Sequence, residues 1–395
     1  MTSVQSRQRP SSGNRLSLYF ASFIKSFSFL NYDMLLQLRM RELSIDLFSI
    51  SFLSSVTSAV GSLATPFWGA LSDESRSRKK VLFIAILIAL AILPGYTVAR
   101  RAIEFFLVAT IFTFFASAFD PIAMAIFVES SAISRSIVVS VVNAVNSFGM
   151  GVGRIVISPL LNLLSVVHVM LVLFFAALTM LYFIHRAAVM PHHRYEIQRT
   201  NLQRVFSAIT SKSVLKKKNL WAMYLGAFLR QLGIGGTFAL IAVYLVEEVG
   251  LKKSMTILLA SANPLMQVPS HFLAAWMMQK ISSKYIAAFG MLTSGFGALL
   301  FAPADSALTV LLAYAVSGLG FGAFINGATN FVIENVPVNR RAEFLGLLTS
   351  VRSFGSLFGP LLAGWLAAFS FELVFVTMGS IMILGSILTF VYCQR

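Results

Sequence analysis

Apolar runs about twenty residues long, parted by short polar stretches, recur along the whole chain. They fall near residues 16–37, 47–71, 81–98, 104–128, 137–160 and 164–185, and again near 219–245, 254–278, 285–302, 307–333, 343–367 and 371–392. An α-helix needs about 20 residues to cross roughly 30 Å of hydrocarbon. These runs are too long and too continuous for the strands of a membrane barrel. A backbone in lipid must satisfy its own hydrogen bonds, so the pattern predicts twelve transmembrane helices.

Composition agrees. Of 395 residues, 57% are hydrophobic and 12% charged, about half the charged share of a soluble domain. An ordinary globular enzyme is excluded. The net charge of +16 would suit nucleic acid, but the basic residues sit in alternate loops and form no separate domain, so no such partner is expected. Counted by side, 21 Lys and Arg lie with the N-terminus and 6 lie opposite. Basic loops stay inside, which predicts a multi-pass protein of the plasma membrane with both termini cytoplasmic.

The expected division is a polar cytoplasmic tail over 1–15, a six-helix bundle over 16–186, a cytoplasmic central loop over 187–218 and a second bundle over 219–395. The tail is Ser-rich and basic and is not read as a secretory signal. In the central loop Leu202, Val205, Phe206 and Ile209 recur at helical spacing beside Arg199, Arg204 and Lys212. That suits either a helix lying on the inner leaflet or a solvated linker.

An internal repeat runs at an offset of 205 residues. Phe67, Gly69, Ala70, Ser77 and Lys79 match Phe272, Ala274, Ala275, Ser282 and Lys284, and Glu129 and Arg135 match Glu334 and Arg340. One span later Ser158-Pro159 matches Gly359-Pro360. An ordered array of this kind indicates duplicated halves.

The loop from Gly69 to Lys80 holds a Gly, a Leu, an Asp four residues after the Gly, and a trailing basic cluster with Arg78 and Lys79. In these residues the chain resembles the major facilitator superfamily over its whole length. Glu74 and Arg76 depart from the family's usual basic residue and second Gly. Gly355 to Gly364, with Gly359-Pro360, is similar to the Gly-Pro motif that lets family helices pack closely and bend. The resemblance implies twelve helices in two pseudo-symmetric six-helix bundles, and secondary transport by alternating access. It assigns gating to Gly69, Asp73, Arg78, Lys79, Glu129, Arg135, Glu334, Arg340, Gly359 and Pro360. The Arg that drug antiporters of the family carry in span four is absent, which counts against drug efflux.

A charge at mid-bilayer costs on the order of 2.5–3.5 kcal/mol on insertion scales. Lys25, Asp33, Asp120, Arg154, Arg230 and Arg352 lie inside predicted spans. Lys25 and Arg230 are separated by the repeat offset, so they occupy equivalent depths in the first helix of each half. Either they clamp an anionic solute, as paired basic residues do in organophosphate antiporters of the family, or Asp33 and Asp120 neutralise them. Tyr32 shares a face with Lys25. Gly226, Gly233 and Thr237 share the face of Arg230 and would leave room beside it. Arg154 continues a polar stripe with Ser147, Gly151 and Ser158. Span ten presents Gly318, Gly322, Asn326, Asn330 and Glu334 in steps of four. Such stripes line a watery path or bond to neighbouring helices. The candidate substrate contacts are therefore Lys25, Tyr32, Arg154, Arg230, Asn326 and Asn330. Asp33 and Asp120 are the candidate proton carriers, and His271 is read as a packed or interfacial residue.

Cys393 is the single cysteine, and neither it nor the five histidines suggest a metal site. No nucleophile–base set, phosphate loop or cofactor motif appears, so the energy source is a gradient or exchange. The expected activity is transport of a small organic solute, leaning to an organic anion coupled to protons or exchanged. The alternatives are proton-coupled export of an amphipathic drug-like compound, and a non-transporting receptor on the same scaffold. The expected partners are the small-molecule solute, protons and the lipid bilayer, with the chain acting as a monomer.

Overall fold

The computed structural model describes residues 12–75, 77–130, 135–187, 215, 219–337 and 340–394, without the side chains of 12–15, 129, 130, 135–137, 140 and 342. The N-terminal tail to residue 11, Arg76, nearly all of the central loop with its expected interfacial helix, and the side chains of Glu129 and Arg135 lie outside the described residues.

The described chain is all α-helical. Before the central loop come α1 (Ser12–Ser28), α2 (Tyr32–Glu42), α3 (Leu47–Glu74), α4 (Arg78–Ile92), α5 (Gly95–Val98), α6 (Ala102–Ala116), α7 (Phe119–Ser130), α8 (Arg135–Leu163) and α9 (Val166–Arg186). After it come α10 (Leu220–Ala239), α11 (Ile241–Glu247), α12 (Lys253–Ala260), α13 (Ala262–Met277), α14 (Ser283–Leu299), α15 (Ala307–Asn335), α16 (Arg341–Leu366) and α17 (Phe371–Tyr392).

Among the described residues eight helices, some counted across a short break, are long and apolar enough to cross a membrane, or nine if α10 and α11, bent by 42°, form one span. α1, α13 and α14 fall short by length, with 17, 16 and 17 residues. The first of these is parted from α2 by a 3-10 turn at Phe29–Asn31, the second from α12 by Ser261. Residues at the end where α3, α9, α15 and α17 begin show why the helices start there. Asp46, Ser165, Ser306 and Ser370 each have an extended backbone and accept the amide three residues on, which satisfies a donor with no partner in the helix.

Within the first set α1 packs on α8 and α9, and α4 on α6 and α9. Within the second α14 packs on α15 and α17, and α10 on α16 and α17. Glycines let these backbones approach. A Cβ at Gly290 would overlap the Phe324 amide, and one at Gly295 would meet the Gly379 carbonyl. Small residues are what helix contacts in lipid require, because apolar side chains gain nothing by leaving lipid for a neighbour.

The repeat is visible in a pair of lysines. Lys79 Nζ donates to the Ala187 carbonyl at 3.0 Å, just past α9. Lys284 Nζ donates to the Cys393 carbonyl at 2.6 Å, just past α17. Each ammonium meets unpaired carbonyls and the negative end of a helix dipole.

Candidate functional site

The two sets of helices meet along α3 with α16, α8 with α12 and α13, and α2 with α11. Among the described residues the hydrogen bonds that join them run from mid-helix to one end, the end bearing the turns after Glu42 and Glu247. Ser51 Oγ donates to the Pro360 carbonyl, and Ser55 Oγ to the Leu357 carbonyl at 2.8 Å. Ser147 donates to Gln267 at 2.8 Å. At the rim Arg41 grips Glu247 through two bonds of 2.5 and 3.0 Å, and Lys253 meets Glu42 at 2.5 Å. The bonds to Glu247 hold the Arg41 guanidinium above its ordinary pKa. The molecule is sealed at this end.

Gln37 makes the seal specific. The break at Leu240 removes the hydrogen bond that a continuous helix would place between the Phe238 carbonyl and the Ala242 amide. The Gln37 amide occupies that gap, donating to Phe238 and accepting from Ala242, both at 3.0 Å. A side chain inserted into the ladder is a recognised cause of a helix bend.

Lys25 is not free to face Arg230. Its ammonium lies 2.7 Å from Asp120 and 5.6 Å from the centre of the Phe119 ring. The Lys25 side chain is 8% exposed and that of Asp120 62%, so the pair stands on a solvent-reached wall with its acid outermost. Asp33 is also exposed and makes no hydrogen bond or ion pair among the described residues. Arg154 donates to Asn31 at 3.2 Å and to the Ala260 carbonyl at 2.6 Å, which ties α8 to both sets of helices. Tyr32 is buried and donates to the Met170 carbonyl at 2.6 Å.

Arg230 follows neither expectation fully. Among the described residues no acid pairs with it, and its hydrogen bonds and ring contacts lie within α10–α17. It donates to Ser294 at 3.2 Å and Gln231 at 3.3 Å, and its guanidinium lies 4.8 Å from the centre of the Phe324 ring. The expected room beside it is absent. A Cβ at Gly226 would strike Thr389, and one at Gly233 would strike Met382. Those glycines are there for the approach of α17, and Thr237 returns its hydroxyl to the Gly233 carbonyl.

The stripe on α15 likewise bonds to its neighbours. Gly318 and Gly322 press on Asn263 and Ser270 of α13. Asn326 donates to the His271 carbonyl at 3.0 Å, Asn330 meets Met278 Sδ at 3.1 Å, and Glu334 accepts from Ser283 at 2.6 Å. Of the residues assigned to gating, Asp73 pairs with Arg78 at 2.6 Å, and Arg340 with Glu343 at 2.7 Å. Gly69 approaches Pro121, and Gly359 lies against the Leu232 carbonyl.

Gln37, Arg41, Glu42, Glu247 and Lys253 were not among the sequence candidates. A signal existed: Glu42 and Glu247, and Gln37 and Ala242, stand at the repeat offset. Among the described residues no group of His, Cys, Asp or Glu could hold a metal ion.

The quinolone resistance protein NorA of Staphylococcus aureus (strain N315) is 26% identical over 174 residues, 44% of this chain and 45% of that protein. The efflux pump ustT of Ustilaginoidea virens is 28% identical over 111 residues, 28% of this chain and 19% of that protein. The chain thus spans less than half the length of these relatives. In fold it is similar to the nucleoside transporter NupG (D323A mutant), with a TM-score of 0.83, 14% identity and coverage of 96% of this chain and 100% of that one. A bacterial homologue of the lysosomal transporter Spinster, solved inward-facing and unoccupied, gives 0.74 at 12% identity, covering 98% of each. The signature of the Major Facilitator Superfamily matches residues 18–244 and 223–395. The chain is a multi-pass membrane protein and belongs to that superfamily.

Proposed function

We propose that the protein is a secondary transporter that exports a small amphipathic organic compound by alternating access. Twelve spans in two six-helix bundles, with both termini cytoplasmic in the plasma membrane, form its frame. The observation that carries this reading is Asp33, a carboxylate inside the first span that is exposed yet makes no hydrogen bond or ion pair among the described residues. An ion within the membrane requires water, and among the described residues the bonds that join the two sets of helices lie toward the end away from the termini, which supports water entering from the end bearing the termini. That is the inward-open state. Similarity to a quinolone resistance protein and to an efflux pump supports export and outweighs the missing Arg of span four. Asp33 is the better proton carrier, because a proton on Asp120 would compete with the Lys25 ion pair.

Proteoliposomes loaded with a fluorescent amphipathic dye and given a pH gradient test this. Dye movement should follow the gradient in the wild type and lose that dependence in Asp33→Asn, with dye exchange retained. Dye movement no faster than in protein-free liposomes would reject transport of this class. Dye binding without movement would favour a receptor.

A second reading, an organic anion as solute, is favoured by one observation. Arg230 and Arg352 lack an acidic partner among the described residues, whereas Lys25 has one.

A further inference from the structure

Inside α10–α17 lies a line of cationic and aromatic groups with no acidic partner among the described residues. The Arg230 guanidinium sits 4.8 Å and that of Arg352 5.7 Å from the centre of the same ring, Phe324. Arg230 also lies 5.4 Å from Phe321, whose ring stands edge-on to His271 at 5.9 Å. Arg230 and His271 are each 1% exposed. The Nε of both arginines and both ring nitrogens of His271 are buried without a hydrogen-bond partner. Arg352 makes no hydrogen bond at all among the described residues.

Two guanidinium groups around one ring repel each other, and neither can discharge itself by losing a proton. A cation–π contact is worth about 0.5–2 kcal/mol, which is less than the insertion penalty of one arginine at mid-membrane. The acids on these helices, Glu247, Glu334, Glu343 and Glu372, all stand at helix ends, and among the described residues none pairs with Arg230 or Arg352: Glu247 meets Arg41, Glu334 accepts from Ser283 and Glu343 pairs with Arg340. A ligand of opposite sign would offset both charges, one buried and one half-buried. We infer that Arg230 and Arg352, with His271 behind them, form a binding site for an anion within the C-terminal helices.

The donors describe what fits. Planar guanidinium forks suit the two oxygens of a carboxylate and also accept a halide. Arg352 and Phe321 are half-buried, so they form the edge from which the anion enters, and Arg230 lies behind them. The site goes beyond the export reading: it is a property of these helices whether the anion is cargo or a resident counter-ion.

Purified full-length protein in detergent is titrated with sodium chloride, and separately with sodium benzoate, with the Arg352→Gln protein titrated in parallel so that the effect of ionic strength is subtracted. A saturable rise in Tm is expected, because a ligand that binds only the folded state stabilises it by mass action. A response to chloride alone identifies a small inorganic anion, and a response to benzoate identifies an organic carboxylate. Arg230→Ala is at risk of misfolding because the residue is fully buried, so Arg352→Gln is the diagnostic variant and should lose the response. Arg41→Gln, at the far rim, should keep it. A folded wild type that responds to neither salt overturns the site, as does an Arg352→Gln protein with an undiminished response. Dye transport in proteoliposomes reports on export separately, so either idea can fail alone.

Discussion

Gln37 and Ala242 stand 205 residues apart, the offset of the internal repeat, and a 3.0 Å hydrogen bond joins them. With its second bond, to Phe238, Gln37 replaces the rung that the bend in the opposite half removes. The sealed state is therefore stabilised by a group that the open state must release.

Gln37→Leu should leave a buried carbonyl and a buried amide unpaired, at roughly 1–3 kcal/mol for each. The equilibrium should shift away from the sealed state by about tenfold or more. Labelling of a cysteine placed at Ser51 should accelerate accordingly in liposomes. An unchanged labelling rate would show that the bend holds without Gln37.

The rim pairs Arg41–Glu247 and Glu42–Lys253 are solvent-exposed, and exposed pairs contribute about 0.2–1 kcal/mol. Glu247→Gln should therefore change Ser51→Cys labelling by less than about fivefold, and 1 M salt should mimic it in the wild type. A larger effect would make the rim, rather than Gln37, the main lock.

Lys25 and Asp120 should respond unequally to substitution. Asp120→Asn strands a buried ammonium, at about 2–3 kcal/mol, short of the 3–5 typical where both partners are enclosed. Lys25→Met strands a carboxylate that water already reaches, at less than about 1 kcal/mol. Thermal denaturation of the two variants should rank them in that order, and the reverse order would mean that Lys25 holds the charge of more than Asp120.

Two glycines should behave oppositely. Gly233→Ala forces a methyl into Met382 of α17 and should destabilise by about 1–3 kcal/mol. Gly346→Ala meets nothing within 4 Å and should stabilise α16 by about 0.5–1 kcal/mol. Tm measurements on both variants check the contrast.

Most of the helix positions were legible because lipid imposes a length and a polarity that survive in sequence. The broken ones were less so: nothing in the residues around Leu240 marks the bend, since its cause, Gln37, lies in the other half. The repeat located Lys79 and Lys284, whose bonds are equivalent in the two halves. It misled at Lys25 and Arg230, because equal depth does not imply an equal face. Lys25 turns to α7 and Arg230 to α14 and α15. The glycines beside Arg230 read as clearance or as packing alike, and only the neighbouring helix decides between the two.

The lone thiol has a practical consequence. Cys393 is 1% exposed beneath Lys284, and burial pushes its pKa up to about 12 against the pull of that ammonium. The thiolate is the species that reacts with maleimides, so the natural chain carries a silent background against which introduced cysteines can be read directly. The same silence makes Cys393 a built-in reporter. If α17 pulls away from Lys284 during the transport cycle, the native protein should acquire label only while turning over.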